Sequence, residues 1–263
     1  MASSSRRSCR HLALALFLLP LIAAPIAAAG VIITGTRHIY PERQREITIQ
    51  ITNEDTQAPR LVQAWVEHAG HLDGPDASDV PFSLSPPVFR VDGGKGQAIR
   101  LVYTGEALPA DRESLFWLNV LEVPPKVNPN DSAYDIPELN YLRFAFRIRT
   151  KVFFRPARLK GSPDDAMGQL RWNLHQGAGR LQLVVSNPSP YHVTFNDVAL
   201  ALGSRADAQL LQGESGMVAP GATLTLSLRA RQALAVPSDA QVHFRTINDY
   251  GAFSPPQRAA LRF

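Results

Sequence analysis

YLRFAFRIRTKVFFRP, running from Tyr141 to Pro156, alternates apolar and polar side chains through its first half. On an extended chain Leu142, Phe144, Phe146 and Ile148 fall on one face, and Tyr141, Arg143, Ala145, Arg147 and Arg149 on the other. At the helical period the same residues scatter around the circumference, so the spacing predicts a strand. The second half is continuously apolar apart from Lys151, and it ends at Arg155-Pro156, because proline brings no N–H to a central ladder. Two fates are open to such a row. It turns into the core of its own sheet, or it is presented to a second chain.

Working outward, the chain reads as short strand-like runs separated by turn residues. Before this segment come Val31–Tyr40 with Gly35 as a bend, EITIQIT (Ile47, Ile49 and Ile51 on one face), LVQAWVEH, PFSLSPPVFRV, AIRLVYT and SLFWLNVLEV. In LVQAWVEH, Val62, Ala64 and Val66 share a side and Trp65 takes the other. The segment Pro124–Asn140 is polar. After Arg155 the pattern restarts with QLRWNLH, RLQLVVSN, HVTFNDVAL, TLTLSLRA and QVHFRTI. No helical period of useful length is visible. Many short strands at near-regular spacing predict an all-β chain, and the break at Pro156–Pro163 divides it into two β-sandwich domains. We place them at residues 30–156 and 157–263, and the two halves share a pattern without sharing a residue repeat.

Residues 1–29 are expected to be a cleaved signal peptide. Arg6, Arg7 and Arg10 give a basic start, His11–Ile26 is apolar, and Ala27-Ala28-Ala29 supplies small residues for cleavage. Pro20 and Pro25 interrupt the run and no basic stop-transfer flank follows, so stable membrane insertion is not expected. The Arg6-Arg7 pair lacks the apolar motif of twin-arginine signals, and Cys9 lies ahead of the apolar run, unlike a lipoprotein cysteine. The formal charge is +4, but three of those charges lie in the export segment. With no block of like charge, no nucleic-acid partner is expected. Cys9 is also the only cysteine, so the exported protein must stand on its cores without disulfides.

Chemistry is sparse. No HExxH, no G-x-S-x-G and no carboxylate pair placed across a cleft appears. His68 and His71, beside Glu67 and Asp73, resemble a metal cluster only weakly, and their loop setting favours surface residues. Gly93-Gly94-Lys95-Gly96 is flanked by strands and reads as a turn, not a phosphate loop. Asp111 with Glu113, and Asp164-Asp165, are adjacent carboxylates without a partner across a cleft. Neither an enzyme nor a bound metal or cofactor is expected.

Several stretches resemble the periplasmic pilus (fimbrial) chaperones. They are DRESLFWLNVLEVPP (Asp111–Pro125), KVFFRPA (Lys151–Ala157), NPSPYHVT (Asn187–Thr194) and INDYG (Ile247–Gly251), with TRHIYPE and QAWVE nearer the start. The resemblance implies two immunoglobulin-like β-sandwich domains set at an angle with a cleft between them. It also implies a periplasmic protein that binds pilin subunits lacking their last strand, shields them, and delivers them to an outer-membrane usher. Without the long insertion and cysteine pair of one branch, the chain looks like the short-loop branch. By the same resemblance Leu142, Phe144, Phe146 and Ile148 form the donated row. Arg37 and Lys151 grip the subunit's C-terminal carboxylate, and Glu122, Arg155 and Asp249 form a network that fixes the interdomain angle. Phe144 and Phe146 are heavier than the aliphatics common in the family. A self-capped dimer of the free chain is compatible with the same row. A different class, an exported adhesion or structural module of paired immunoglobulin-like domains, would need neither Arg37 nor Lys151. A secreted sandwich hydrolase is a third.

Overall fold

The computed structural model describes residues 30–70, 74–75, 79–125, 144–177, 180–229 and 235–262. The expected signal peptide, Leu142, and the connection 126–143 on which the short-loop reading rests lie outside the described residues.

The first half builds β1 (Val31–Ile33), β2 (Arg37–Pro41), β3 (Glu46–Asn53), β4 (Arg60–His68), β5 (Phe82–Ser85), β6 (Val88–Val91), β7 (Gly96–Tyr103), β8 (Ser114–Val123) and β9 (Phe146–Arg155). These pair into two sheets, β1-β3-β7-β5 and β2-β9-β8-β4-β6. The alternation seen in EITIQIT and AIRLVYT has its cause here. Ile49, Ile51, Ile99 and Leu101 of one sheet meet Val62, Phe116, Leu118, Val152 and Phe154 of the other in a single core. Each fully buried side chain of this kind contributes about 1.5–3 kcal/mol.

One strand changes layers. β1 pairs with β3, whereas β2 pairs in parallel with β9, with Arg37 opposite Lys151 and Pro41 opposite Arg155. Gly35 makes the crossing with φ at +90°, a conformation that costs other residues dearly. As a result β2 borders only the second half of β9. Over Phe146–Thr150, β9 has β8 on one side, and no strand pairs with its other edge among the described residues.

The second half opens with a helix that no periodicity announced, α1 (Pro163–Gln169). It is too short to display an apolar stripe, and its signal is chemical. Ser162 caps it, Pro163 occupies the first turn, and the Asp165 carboxylate returns to the Ser162 N–H at 2.9 Å. Ala166 anchors it in the second core. Then follow β10 (Arg171–Gly177), β11 (Arg180–Ser186), β12 (Val193–Ala201), β13 (Leu210–Gln212), β14 (Gly216–Val218), β15 (Thr223–Ser227), β16 (Gln241–Thr246) and β17 (Gln257–Arg262). β17 links the layers, pairing with β16 over Gln257–Ala260 and in parallel with β10 at Leu261 and Arg262. Trp172, Leu183, Phe195, Leu200, Val242 and Phe244 fill this sandwich.

Candidate functional site: the open strand and the interdomain cleft

β9 carries one continuous face from outside the sandwich into its core. Phe144, just before the strand, is 58% exposed and Phe146 59%. Ile148 is half-buried, and Thr150, Val152 and Phe154 are buried. The two phenylalanine rings lie 6.3 Å apart. An aromatic pair left in water on a strand with one free edge is a liability unless something is meant to cover it.

The opposite face carries cations. Arg147 and Arg149 both reach Glu67 on β4, and the Lys151 ammonium lies 5.5 Å from the centre of the Trp117 ring. Lys151 has no ion pair among the described residues. Burial first, and then the neighbouring Arg37 charge, pull its ammonium below the usual lysine range.

Arg37, opposite Lys151 across the parallel ladder, points into the cleft. One guanidinium nitrogen donates to the Ile247 carbonyl at 3.0 Å, and the group lies over Phe153. Among the described residues its buried Nε has no hydrogen-bond partner, nor does the buried Thr194 hydroxyl across the same cleft. Burial lowers the Arg37 pKa, and the charges of Asp249 and Glu113 oppose that fall. The cleft encloses a cavity of about 300 Å³ between the first domain's Arg37, Phe153 and Arg155 and the second domain's His192–Thr194 and Thr246–Asp249.

Arg155 ends β9 at the floor of this cleft. It makes a fork to Asp249 (Nη1–Oδ2 2.6 Å, Nη2–Oδ1 2.9 Å) and donates from Nε to Glu113 at 2.7 Å. Glu113 also accepts the His192 backbone N–H at 2.8 Å, so two carboxylates from different domains share one guanidinium. Local turns aim these partners. Asn187 crosses its own loop, with Nδ2 donating to the Tyr191 carbonyl and Oδ1 accepting from Ser189, and so sets Tyr191 and His192. The Asn248 Oδ1 accepts from the Tyr250 and Ala252 N–H groups, which turns Asp249 toward Arg155. Gly251 completes that turn with φ at +80°, and a Cβ there would stand 2.7 Å from the Thr36 hydroxyl of the first domain.

One expected member of the network is elsewhere. Glu122 does not touch Arg155; it accepts the Val31 N–H at 2.8 Å and pairs with Arg60 at 3.0 Å. It sits at the far end of β8 from Glu113, about 30 Å away at the rise of a strand. Glu113, not Glu122, is the first-domain carboxylate that pairs with Arg155, and the antiparallel register explains why. Ser114 faces Phe154, so the next rung sets Glu113 beside Arg155. The signal was present in DRESLFW, but it required the pairing register. Glu67, set beside His68 in the weak metal grouping, is instead buried and engaged by arginines, while His68 contacts the Asp79 carbonyl at 2.8 Å. His71 and Asp73 lie outside the described residues.

Against known proteins, residues 30–160 match the N-terminal domain of the PapD-type pili and flagellar-assembly chaperones, and residues 165–258 match the C-terminal domain of the PapD-type pili assembly chaperones. The probable fimbrial chaperone YadV of Escherichia coli (strain K12) is 39% identical over 225 residues, covering 85% of this chain and 87% of that protein. A crystal structure of YadV chaperone superposes with a TM-score of 0.71 at 35% identity, covering 88% of this chain and 100% of that one. The Salmonella enterica SafB chaperone, solved in complex with SafA pilin, gives a TM-score of 0.68 at 29% identity over 90% of this chain and 99% of the matched one.

Proposed function

The chain belongs to the family of pili-assembly chaperones, and from that premise we propose that it captures pilin subunits by lending them β9. Leu142, Phe144 and Phe146, with Ile148 behind them, fill the groove of a subunit that lacks its last strand. The free edge of β9 hydrogen-bonds to the subunit's unpaired backbone. Arg37 and Lys151 receive the subunit's C-terminal carboxylate, and that anchor fixes which apolar side chain meets which pocket. The work is stoichiometric shielding rather than catalysis. It takes place in the periplasm after residues 1–29 are removed and ends with delivery to an outer-membrane usher. The domain change falls between Pro156 and Ala157, and Arg155 with Asp249 and Glu113 holds the cleft at one angle.

A single combination supports this reading. Among the described residues, an exposed aromatic row stands on a strand paired on one side that leads directly to two adjacent cations, one with a buried unpartnered N–H and the other without an ion pair. An incoming carboxylate satisfies both. Each charge-assisted hydrogen bond is worth about 1.5–3 kcal/mol, or about ten- to a hundredfold in affinity.

Co-purification from periplasm tests the proposal. The parent chain is expected to bring down a pilin in stoichiometric amount. Arg37→Glu, Lys151→Glu and Phe144→Glu are each expected to lose it while remaining folded. If both charge reversals capture pilin as well as the parent, the anchor assignment is wrong. A bound glycan, or self-association with no pilin, would instead mark an adhesion module.

A further inference from the structure

The half of β9 that projects beyond β2 has a ladder on one side only among the described residues, and it begins at exposed Phe146, next to the exposed Phe144 that precedes it, an arrangement prone to fraying. Its outward face is tied down in an unusual way. Arg147 and Arg149 reach across β8 to one carboxylate on β4. Glu67 is 2% exposed, receives Arg147 on both oxygens at 2.9 and 2.8 Å, and receives Arg149 at 2.6 Å. Each guanidinium also covers an indole, Arg147 lying 4.8 Å from the Trp65 ring and Arg149 4.7 Å from the Trp117 ring. In register, Glu67 faces Trp117, which faces Lys151. Both arginines therefore lean along the strand toward the Lys151 end to reach it. Two stacked cations sharing one buried carboxylate hold adjacent outward positions of the strand against the sheet.

We propose that Glu67, through Arg147 and Arg149, is a positioning residue that holds the open half of β9 extended and ready before any subunit arrives. This rests on the donor-strand reading above and adds how the strand is prepared for its task. A strand ordered in advance loses less conformational freedom on capture. The same engagement keeps Glu67 off Lys151, whose ammonium shares the Trp117 ring with Arg149, and so leaves that cation available to the incoming carboxylate.

Removing Glu67 strands two arginines and risks the fold, so the test works from the strand side on the full exported chain. In Arg147→Gln/Arg149→Gln, hydrogen exchange in the peptide spanning Phe146–Thr150 of the free protein is expected to quicken at least about tenfold, with β3 and β7 unchanged. The Arg147→Lys/Arg149→Lys pair, which keeps the charges, is expected to recover part of the protection. The glutamine pair is also expected to capture the parent's co-purifying pilin more slowly. Unchanged exchange in Phe146–Thr150 overturns the proposal. So does faster exchange throughout both sheets with a lowered unfolding midpoint, because the arginines would then serve only global stability. Phe146→Glu, assayed beside them for pilin capture, separates the two claims. Undiminished capture by that variant sinks the donor reading, whereas the exchange result on the free chain decides the clamp by itself.

Discussion

Phe146 and Phe154 stand on the same face of one strand with the same period, yet the first is 59% exposed and the second 3%. The difference lies in their neighbours. Over Lys151–Phe154 the strand is flanked by β2 as well as β8, and it looks onto the opposite sheet across a filled core. Over Phe146–Thr150 no second strand flanks it among the described residues, and the face passes from buried Thr150 through half-buried Ile148 to exposed Phe146. Period-two alternation thus says which side chains share a face, and the surrounding strands decide whether that face is a core or an offering.

Substituting each half identically should break the symmetry most visibly. Phe154→Glu puts a carboxylate into a packed aromatic cluster with Tyr40, Phe82 and Tyr103. It is expected to cost at least about 4 kcal/mol, enough to unfold the first domain by thermal or urea denaturation. Phe146→Glu should leave the unfolding midpoint of the free chain within about 0.5 kcal/mol of the parent, as at an ordinary surface position. Equal damage from the two would mean that the first half is also a core.

A smaller effect marks the junction at Lys151. Its ammonium titrates below the usual 10.5, through burial and then through Arg37. A bound carboxylate favours the protonated form and raises that pKa. Capture is then at full strength below the free-state pKa and is lost as pH rises through it toward the bound-state value. Pilin affinity measured against pH should begin to fall earlier than for an ordinary lysine, and Lys151→Arg should move the decline upward. A flat profile through the alkaline range would remove Lys151 from the anchor.

An effect confined to acid pH lies one position along β2. Burial holds the His38 imidazole at about 4 against an ordinary 6.5, with its Nε2 3.2 Å from the Thr150 hydroxyl. Between those values the unfolded chain binds a proton that the folded chain does not. The stability contribution is therefore complete above about pH 6.5 and is lost as pH falls toward about 4. Subtracting the stability-versus-pH curve of His38→Gln from that of the parent isolates this slope. A difference curve without slope in that window would show His38 titrating normally.

Most of the strands were legible because alternation survives in a linear string, as Ile49 and Ile51 or Leu183 and Val185 demonstrate. The row at Phe144 and Phe146 was legible for the same reason, though its exposure depends on where β2 begins, which no local pattern carries. The cleft partners divide by the same criterion. Arg155 and Asp249 stand inside recognisable stretches and do meet. The choice between Glu113 and Glu122 turns on the β8–β9 register, which no linear string carries. Helix α1 escaped because its evidence is one capping box rather than a repeat. The Glu67 clamp escaped because its members come from two strands separated by a third.

Gly35 has a wider consequence. By swinging the leading strand into the other layer, it sets how many rungs the molecule leaves unsealed. Had the chain run straight on, its own beginning would have corked the gap, and the sandwich would have been complete and idle. A crossing point a few residues earlier or later would shorten or lengthen the berth, so a single achiral residue near the start of the domain gauges how much of another chain it can hold.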